Sequence, residues 1–257
     1  TPGAANSIAP PSTSYTIVEC QTVATEGEQV ATNGVVTAVY TNEYVIQDGT
    51  GPYSAIWVIG TGVSQGDELD VFGELVEFFG RTQIQNTLAV LQSTANPLPA
   101  AEVLTTGAMG DEQWESVLCE ATGQVAQADA GFGNWTIDDG TGQIGVYDLG
   151  YDAIGDLTLT LVEGDTYRVV GPNAYDFGQF KFAPRDAADV TKLGCTDNLF
   201  ANFDPEAEED DGSCSNTPGC TDPAADNYDA TAGIDDGSCI YTGCDDVTAL
   251  NYDAQVN

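Results

Sequence analysis

The sequence contains no histidine, and it has one methionine among 257 residues. Without histidine the chain has no Ser-His-Asp triad, no His-ligated metal site and no residue of the commonest general-base type. Carboxylates can act as acid and base in pairs, but the adjacent Asp138 and Asp139 fall in a predicted hairpin turn that accounts for them. We therefore predict that the protein is not an enzyme and uses no organic cofactor.

Positive charge is equally scarce, since 5 Lys and Arg oppose 41 Asp and Glu and leave a formal net charge of -36 at pH 7. Nucleic-acid-binding proteins need a basic surface that neutralises phosphates, and anionic membranes repel acidic proteins. No apolar run is long enough to span a bilayer. We therefore expect no nucleic acid among the partners and no membrane insertion. The acidic surface either attracts divalent cations or simply keeps the protein soluble.

Five of the seven cysteines lie near the C-terminal end, where the sequence repeats itself. Residues 194–214 and 219–239 both open with Gly-Cys-Thr-Asp, carry Asn-aromatic-Asp in the middle and close with Asp-Asp-Gly-Ser-Cys. In both copies the two cysteines are 19 positions apart. A third, incomplete copy covers 243–257 and contains only its first cysteine, Cys244.

A repeat of about 25 residues buries too little apolar surface to fold alone, so it needs a covalent staple. We predict the disulfides Cys195–Cys214 and Cys220–Cys239, each contributing about 3 kcal/mol. Disulfides persist in oxidising compartments, which places the protein outside the cell or at the cell surface. A zinc site is the weaker alternative, because the repeats contain neither His nor a Cys-x2-Cys pair.

Three cysteines remain after this pairing: Cys20, Cys119 and Cys244. An odd thiol in a secreted protein indicates a bond to another molecule or a missing partner. We expect a bridge between Cys20 and Cys119, which would join the two upstream domains. For Cys244 we expect a partner either in a continuation of the repeat array or in another molecule.

Calcium is the candidate metal of the repeats, because hard cations take carboxylate and carbonyl oxygens. The spacing does not match an EF-hand loop, and Asp-Asp-Gly is also an ordinary turn sequence, so both interpretations stay open. The predicted calcium ligands are acidic residues at matching places in the two complete copies: Asp197, Asp204, Asp210, Asp211, Asp222, Asp229, Asp235 and Asp236.

With these features the repeats resemble the GCTDPxAxNYDPxAxxDDGSC-type Cys/Asp repeats of large secreted bacterial surface proteins. The resemblance covers residues 194–257, where the glycines, the cysteines and the Asp pattern recur in register. It implies that this part of the chain is a stalk or spacer, and it implies no activity.

A second internal repeat lies upstream, where EYVIQDGTG at 43–51 matches NWTIDDGTG at 134–142 and an alternating run follows each copy. Period-two alternation, β-branched residues and Asp-Gly turns predict short antiparallel strands. Their order is typical of a small Greek-key barrel, whose closure removes exposed edges. The predicted fold class is all-β, with two OB-like Greek-key barrels in tandem plus small disulfide-stapled, loop-rich C-terminal repeats.

The run from Thr105 through 115–118 to 134–140 looks like the opening signature of OB-fold domains in secreted bacterial proteins, a type also found beside extracellular nucleases. This resemblance covers roughly residues 15–190, and it implies the fold without implying a function. The predicted division of the chain is an extended N-terminal arm (1–14), OB-like domain 1 (15–95), a linker (96–104), OB-like domain 2 (105–192) and the Cys/Asp repeats (193–257).

OB folds commonly bind oligonucleotides or oligosaccharides on one sheet face, which makes their aromatic residues candidates for ligand contacts. The alternation nevertheless predicts that many of them belong to the core. The candidates are Tyr44, Trp57, Phe78, Phe79, Trp135, Tyr147, Phe177, Phe180 and Phe182. Lys181, Arg185 and Lys192 form a loose group that is too small for a phosphate track.

We predict a secreted, non-enzymatic structural protein, a self-associating subunit of an extracellular fibre or surface stalk that calcium stabilises. The N-terminal arm and the incomplete third repeat are complementary, and head-to-tail contacts between unlike surfaces build filaments. The alternative is a glycan-binding or other ligand-binding accessory region of a larger secreted enzyme or adhesin. A structural subunit would associate with copies of itself, whereas an accessory module would bind another molecule.

Overall fold

The computed structural model describes residues 14–147, 160–215 and 217–244, together with residues 248 and 250. The chain divides into two compact units, Thr1–Val190 and Thr191–Asn257. Of the predicted N-terminal arm, only Ser14 lies among the described residues, and most of the third repeat copy lies outside them. Within the described part of the chain, no helix is long and apolar enough to cross a membrane.

The regular elements are one α-helix and short to medium-length strands. They are α1 (Ile17–Thr22), β1 (Gln29–Val39), β2 (Glu43–Gln47), β3 (Ala55–Ile59), β4 (Glu68–Phe78), β5 (Arg81–Ser93), β6 (Glu102–Val103), β7 (Leu118–Gly131), β8 (Asn134–Asp138), β9 (Ile144–Tyr147), β10 (Thr166–Asp176), β11 (Gln179–Phe182), β12 (Val190–Gly194), β13 (Glu209–Asp210), β14 (Thr217–Gly219) and β15 (Ala232–Asp235). Three-residue 3-10 turns occur at Ala108–Gly110, Glu112–Trp114 and Ala187–Asp189.

Both barrels of the first unit have the same strand order. In the first barrel β1, β2, β3, β5 and β4 follow one another, and β4 pairs back onto β1 from Gln29↔Glu74 to Val35↔Glu68. In the second barrel the order is β7, β8, β9, β11 and β10, and β10 pairs back onto β7. This is the five-stranded Greek-key arrangement of an OB fold. The predicted fold class is therefore confirmed.

The barrel cores follow from the period-two alternation of the strands. In the first barrel Tyr44 and Ile46 of β2 and Ile56 of β3 belong to one buried cluster. In the second barrel Trp135 and Ile137 of β8 and Ile144 of β9 occupy the corresponding places in another. The side chains that alternate with them point away from the barrel interior. Whether another part of the protein covers these outward side chains decides where a ligand could bind.

The repeated Asp-Gly-Thr-Gly motif holds the segment that precedes the first strand of each barrel. The amide of Ile17, in α1, donates to Asp48 Oδ2 at 3.2 Å. In the second barrel the Thr106 hydroxyl donates to Asp139 Oδ1 at 2.7 Å. Hydrogen bonds from the hydroxyls of Thr106 and Thr141 lower the pKa of Asp139 to about 2. The aspartate of the motif thus links the hairpin turn to the preceding segment by hydrogen bonds, in agreement with the turn interpretation of Asp138 and Asp139.

Glycine is required where β4 and β10 cross their partner strands. A Cβ at Gly73 would lie 2.6 Å from the carbonyl oxygen of Gln85, and a Cβ at Gly171 would lie 2.7 Å from that of Ala183. Both neighbours are backbone atoms, one in β5 and one in the residue that follows β11, so neither can move aside without distorting the barrel. The two barrels therefore share a required glycine, Gly73 in β4 and Gly171 in β10, as well as a strand order. We call each of these positions the glycine corner of its barrel.

We expect Gly73→Ala to lower the free energy of unfolding by about 2 kcal/mol, because the added methyl group overpacks the corner. Urea denaturation followed by tryptophan fluorescence measures the change. Gly49→Ala is the matched control, since a Cβ there meets no atom within 4 Å. Equal stability of the two variants would contradict the steric account of the corner.

In the second unit, each complete repeat closes on itself. Leu193 on β12 pairs in parallel with Glu209 on β13, and Pro218 on β14 pairs with Ile234 on β15. The disulfides Cys195–Cys214 and Cys220–Cys239 have Cα–Cα distances of 4.6 and 4.7 Å. Both predicted disulfides are thus present.

One asparagine in each repeat ties the middle of the loop to its end. Asn202 donates to the Ser213 carbonyl at 2.8 Å and accepts from the Ser215 amide at 2.7 Å. Asn227 makes the same pair of contacts, to Ser238 and from Ile240, at 2.8 and 2.7 Å. The Asn-aromatic-Asp signature of the sequence is therefore a backbone brace within the repeat.

The predicted bridge between Cys20 and Cys119 is wrong. Both residues are free thiols that are almost completely buried. Cys20 belongs to the core of the first barrel and Cys119 to the cluster that fills the second. Burial raises the pKa of the Cys20 thiol to about 12 and also raises that of Cys119, so both behave as small apolar core residues. Cys244 is a free thiol of intermediate exposure.

Candidate ligand-binding face

The outer face of β2 and β3 is covered by the second barrel. Val45, Ala55 and Trp57 point away from the interior of their own barrel and join the buried cluster of the second one. Trp57 is 2% exposed, and the Tyr40 ring packs against it at a centroid distance of 5.3 Å. The face on which an OB fold usually holds its ligand therefore serves here as an apolar joint.

Hydrogen bonds fix this joint between the barrels. Gln47 Oε1 accepts from the Leu118 amide at 3.1 Å, and both residues are buried. On another side of the joint, the Tyr40 hydroxyl donates to the Ala183 carbonyl at 2.6 Å. Because these contacts engage backbone atoms of the second barrel, the β2–β3 face has no room for a ligand.

A buried carboxyl group also lies in the joint. Glu115 is 1% exposed, and its Oε1 accepts from the amide of Thr82 at 2.8 Å. Its other oxygen, Oε2, is buried without a hydrogen-bond partner among the described residues. Burial raises the pKa of Glu115 to about 8, with the nearby carboxylates of Glu112 and Glu77 adding to the shift.

The same face of the second barrel is polar and, among the residues that the structure describes, mostly half-buried. Gly145 fills the place that Trp57 has in the first barrel, because each pairs with both neighbouring strands at matching positions. Thr136 likewise stands where the first barrel has Val45. We call this surface the β8–β9 face, and its members are Asn134, Thr136, Gly145, Tyr147 and, from the adjacent β11, Lys181.

Exposed phenylalanines stand at the hairpin tips beside this face. Phe132 lies in the two-residue turn between β7 and β8, and Phe177 lies in that between β10 and β11. Their exposed fractions are 100% and 82%. Phe79 lies in the corresponding turn of the first barrel, between β4 and β5, and is 80% exposed.

All three tips put phenylalanine where the backbone disfavours it. The φ angles of Phe79, Phe132 and Phe177 are 51°, 56° and 49°, and the glycine that follows each also has a positive φ. Asn or Gly is the usual first residue of such a turn, and a bulky side chain at positive φ is an outlier. An exposed ring held in this conformation is a candidate for contact with another molecule, and the position of each ring relative to the polar face separates the three.

Lys181 lies close to two aromatic rings, those of Tyr147 and Phe177. Its Nζ is 4.8 Å from the centroid of the Tyr147 ring and 5.9 Å from that of Phe177. Its aliphatic stem covers Gly145, where a Cβ would come within 2.8 Å of Lys181 Cγ. The Tyr147 hydroxyl donates to Asp176 Oδ2 at 2.6 Å, which fixes the ring against the lysine.

Neighbouring polar atoms of the face have unfilled hydrogen-bonding capacity. Asn134 Oδ1 and Thr136 Oγ1 are both buried and lack a hydrogen-bond partner in the described structure. Buried polar atoms of this kind are rare in folded proteins, and each calls for a partner such as water or a ligand group. The face thus combines aromatic rings, an ammonium group and two polar atoms ready for hydrogen bonds.

Two of the three cations named near the end of the second barrel form ion pairs within the chain. Arg185 forms an ion pair with Asp189 at 2.6 Å. Lys192 pairs with Asp204 at 2.9 Å and with Glu206 at 3.3 Å. Of the three cations, only Lys181 belongs to the β8–β9 face.

Sequence reasoning named most of the aromatic residues but could not sort them. Tyr44, Trp57, Trp135 and Phe182 are buried, whereas Phe78, Phe79 and Phe177 are exposed. Phe132 and Thr136 were missed as candidates. The Gly-Phe-Gly sequence at 131–133 between two alternating runs was the available signal for Phe132, because a two-residue turn rarely starts with a bulky residue.

The predicted calcium ligands all cap backbone turns. Each of the eight carboxylates accepts a hydrogen bond from the amide two residues further along the chain: Asp197, Asp204, Asp210, Asp211, Asp222, Asp229, Asp235 and Asp236. Among the residues that the structure describes, no three acidic or cysteine side chains group closely enough to hold a metal ion. At least one oxygen of each of these carboxylates therefore accepts a hydrogen bond within its own turn. Calcium binding by the repeats stays a prediction.

Neither the family models nor the curated proteins include a match to this chain. Among solved structures, a murine DNA-binding protein bound to double-stranded DNA is similar at 11% identity and a TM-score of 0.33, covering 62% of this chain and 95% of its own. The Ifi202 HINa domain in complex with 20 bp double-stranded DNA has 11% identity and a TM-score of 0.32, covering 61% and 91%. The tetrameric p202 HIN2 has 15% identity and a TM-score of 0.27, covering 65% and 93%.

The expectation that nucleic acid is excluded as a partner is wrong. Two of these similar proteins are bound to double-stranded DNA. The exclusion rested on the net charge of the whole chain, and a net charge does not fix the charge of one face. Lys181 on the β8–β9 face is such a local exception.

Proposed function

We propose that the first unit is a non-enzymatic binding module whose β8–β9 face holds an extended polyhydroxylated chain, an oligosaccharide. The observation that carries this proposal is the contrast between two equivalent faces. The face that carries Val45 and Trp57 is apolar and buried, whereas the face that carries Thr136 and Gly145 is polar and only half-buried. A polar face that stays partly accessible beside a buried apolar copy favours a ligand over further packing.

The chemistry of the face suits a sugar chain. Tyr147 and Phe177 offer rings on which a sugar can stack, and both rings lie near the ammonium of Lys181, whose stem covers Gly145. Asn134 and Thr136 offer polar atoms to hydroxyl groups. OB folds use this same sheet face and the flanking hairpin loops for oligosaccharides and oligonucleotides. Oligonucleotides are therefore the other occupant that an assay has to include.

We expect Phe177→Ala to weaken oligosaccharide binding about tenfold, because an aromatic platform contributes on the order of 1 to 3 kcal/mol for each ring it stacks. The matched control is Phe79→Ala, which removes an equally exposed ring from the same type of turn in the first barrel. A glycan array selects the ligand, and isothermal titration compares the variants with the unmodified chain.

The same titrations include single-stranded and double-stranded DNA. Binding of DNA without binding of any oligosaccharide would replace the proposed ligand, and equal losses in the two phenylalanine variants would contradict the proposed face. Binding of an oligosaccharide that only Phe177→Ala weakens supports both the ligand and its place.

For the second unit we propose an acidic extracellular spacer. Its support is that each complete repeat carries its own disulfide, parallel strand pair and asparagine brace. The predicted self-association into a fibre or stalk depends on residues 1–14 and 243–257, which fall largely outside the described residues. Fibre formation therefore stays a prediction, separate from the binding role of the first unit.

A further inference from the structure

We infer that the ligand of the β8–β9 face carries a carboxylate, and that this group pairs with the ammonium of Lys181. The ligand would then be an acidic oligosaccharide, in which a sugar acid lies between the rings of Tyr147 and Phe177. This inference rests on the proposed function, because it specifies the ligand of the same face.

The first argument is the burial of a cation. Lys181 is 8% exposed, and its stem lies flat over Gly145. Removing an ammonium group from water is unfavourable unless a counter-charge or good hydrogen bonds replace the water. The aromatic rings at 4.8 and 5.9 Å from Nζ compensate only in part, since a cation–π contact is weaker than an ion pair with a carboxylate.

The second argument is that carboxylates are abundant in this chain. Acidic residues outnumber cationic ones by 41 to 5. Arg81 pairs with Glu43 at 2.7 Å, and Arg185 and Lys192 have carboxylate partners of their own. Among the described residues, by contrast, Lys181 makes contacts with aromatic rings and no ion pair. Its ammonium group is therefore available to an anion from outside the chain.

The third argument concerns the kind of anion. A single ammonium on the face matches one negative group, while Asn134 and Thr136 offer polar atoms to neutral hydroxyls beside it. A sugar acid supplies both, because its ring stacks on an aromatic side chain and its carboxylate projects from the ring edge. The repulsion from the rest of the acidic chain is screened beyond about 8 Å at physiological salt, so the local pair decides the contact.

The test measures binding of a panel of acidic oligosaccharides to the full chain, each beside its own methyl ester, in which the charge is removed and the sugar is kept. We expect at least one acid to bind about tenfold more tightly than its ester. Lys181→Met should abolish this preference, so that acid and ester bind with equal affinity, whereas Lys181→Arg should retain it. Thermal unfolding of both variants verifies that they are folded.

The outcomes separate this inference from the proposed function. If an ester binds as tightly as its acid, or if Lys181→Met weakens acid and ester equally, the carboxylate pairing is overturned while the saccharide face stands. If neither acids nor esters bind, the proposed function is overturned and the pairing with it. If Lys181→Arg loses the preference together with Lys181→Met, a charge-based contact is likewise ruled out.

Discussion

Replacing Glu115 with glutamine is expected to raise the free energy of unfolding of the first unit above pH 8 by on the order of 5 kcal/mol. Glutamine keeps an acceptor for the Thr82 amide, which donates to Glu115 Oε1 at 2.8 Å, and it cannot ionise. At pH 4 the two proteins should be equally stable. Urea denaturation at a series of pH values measures the difference.

The sign follows from burial. Desolvation raises the pKa of Glu115 from 4.5 to about 8, and this effect outweighs the opposing Thr82 amide and Arg81 guanidinium. The unfolded chain releases the proton near pH 4.5, whereas the folded chain retains it to about pH 8. The unmodified protein therefore loses about 1.4 kcal/mol of stability per pH unit across that interval, and the variant does not.

Glu112→Gln is the control, because it removes a neighbouring carboxylate that lies on the exposed side of the same segment. It should shift the stability only slightly and leave the slope against pH in place. Parallel pH profiles for the Glu115 variant and the unmodified chain would show that the joint carries no proton-linked energy.

The double substitution of Cys220 and Cys239 by serine is expected to unfold the second repeat while the first unit stays folded. Closing a loop of 19 residues with a disulfide stabilises it by about 3 kcal/mol. The repeat has little else to hold it, since Tyr228 and Ile234 are 45% and 51% exposed. Limited proteolysis should then cut within 219–239, at a rate at least tenfold above that of the unmodified chain.

Cys244→Ser serves as the control, because it removes a thiol that forms no disulfide in the described structure. It should leave the cleavage rate within 219–239 unchanged. Resistance of the double variant to proteolysis would instead show that the brace at Asn227 and the short parallel pair hold the repeat without the staple.

The sequence sufficed for the barrels and for the disulfides because both arise from repetition. The two copies of the Asp-Gly-Thr-Gly motif were flanked by the same alternating runs, and alternation is a local property of a strand. The cysteine spacing likewise recurred, so pairing within each copy was the simplest solution. In both cases the information needed lay within a few tens of residues.

The binding face could not be predicted, because alternation says which side chains leave a barrel but not what covers them. Trp57 and Trp135 are both buried tryptophans, yet Trp135 fills the interior of its barrel and Trp57 the joint between barrels. The predicted bridge between Cys20 and Cys119 failed for a related reason, since each thiol turned inward. Docking of one barrel on another depends on contacts that no local pattern encodes.

The use of Val45 and Trp57 as a joint sets the valency of the module. Two copies of a ligand-binding fold would ordinarily present two equivalent faces, and a chain that engages both gains avidity. Here the β2–β3 face of the first barrel packs against the second barrel. The duplicated unit therefore presents one such face, the β8–β9 face, to a ligand. Within the first unit, duplication has therefore supplied rigidity in place of a second binding face.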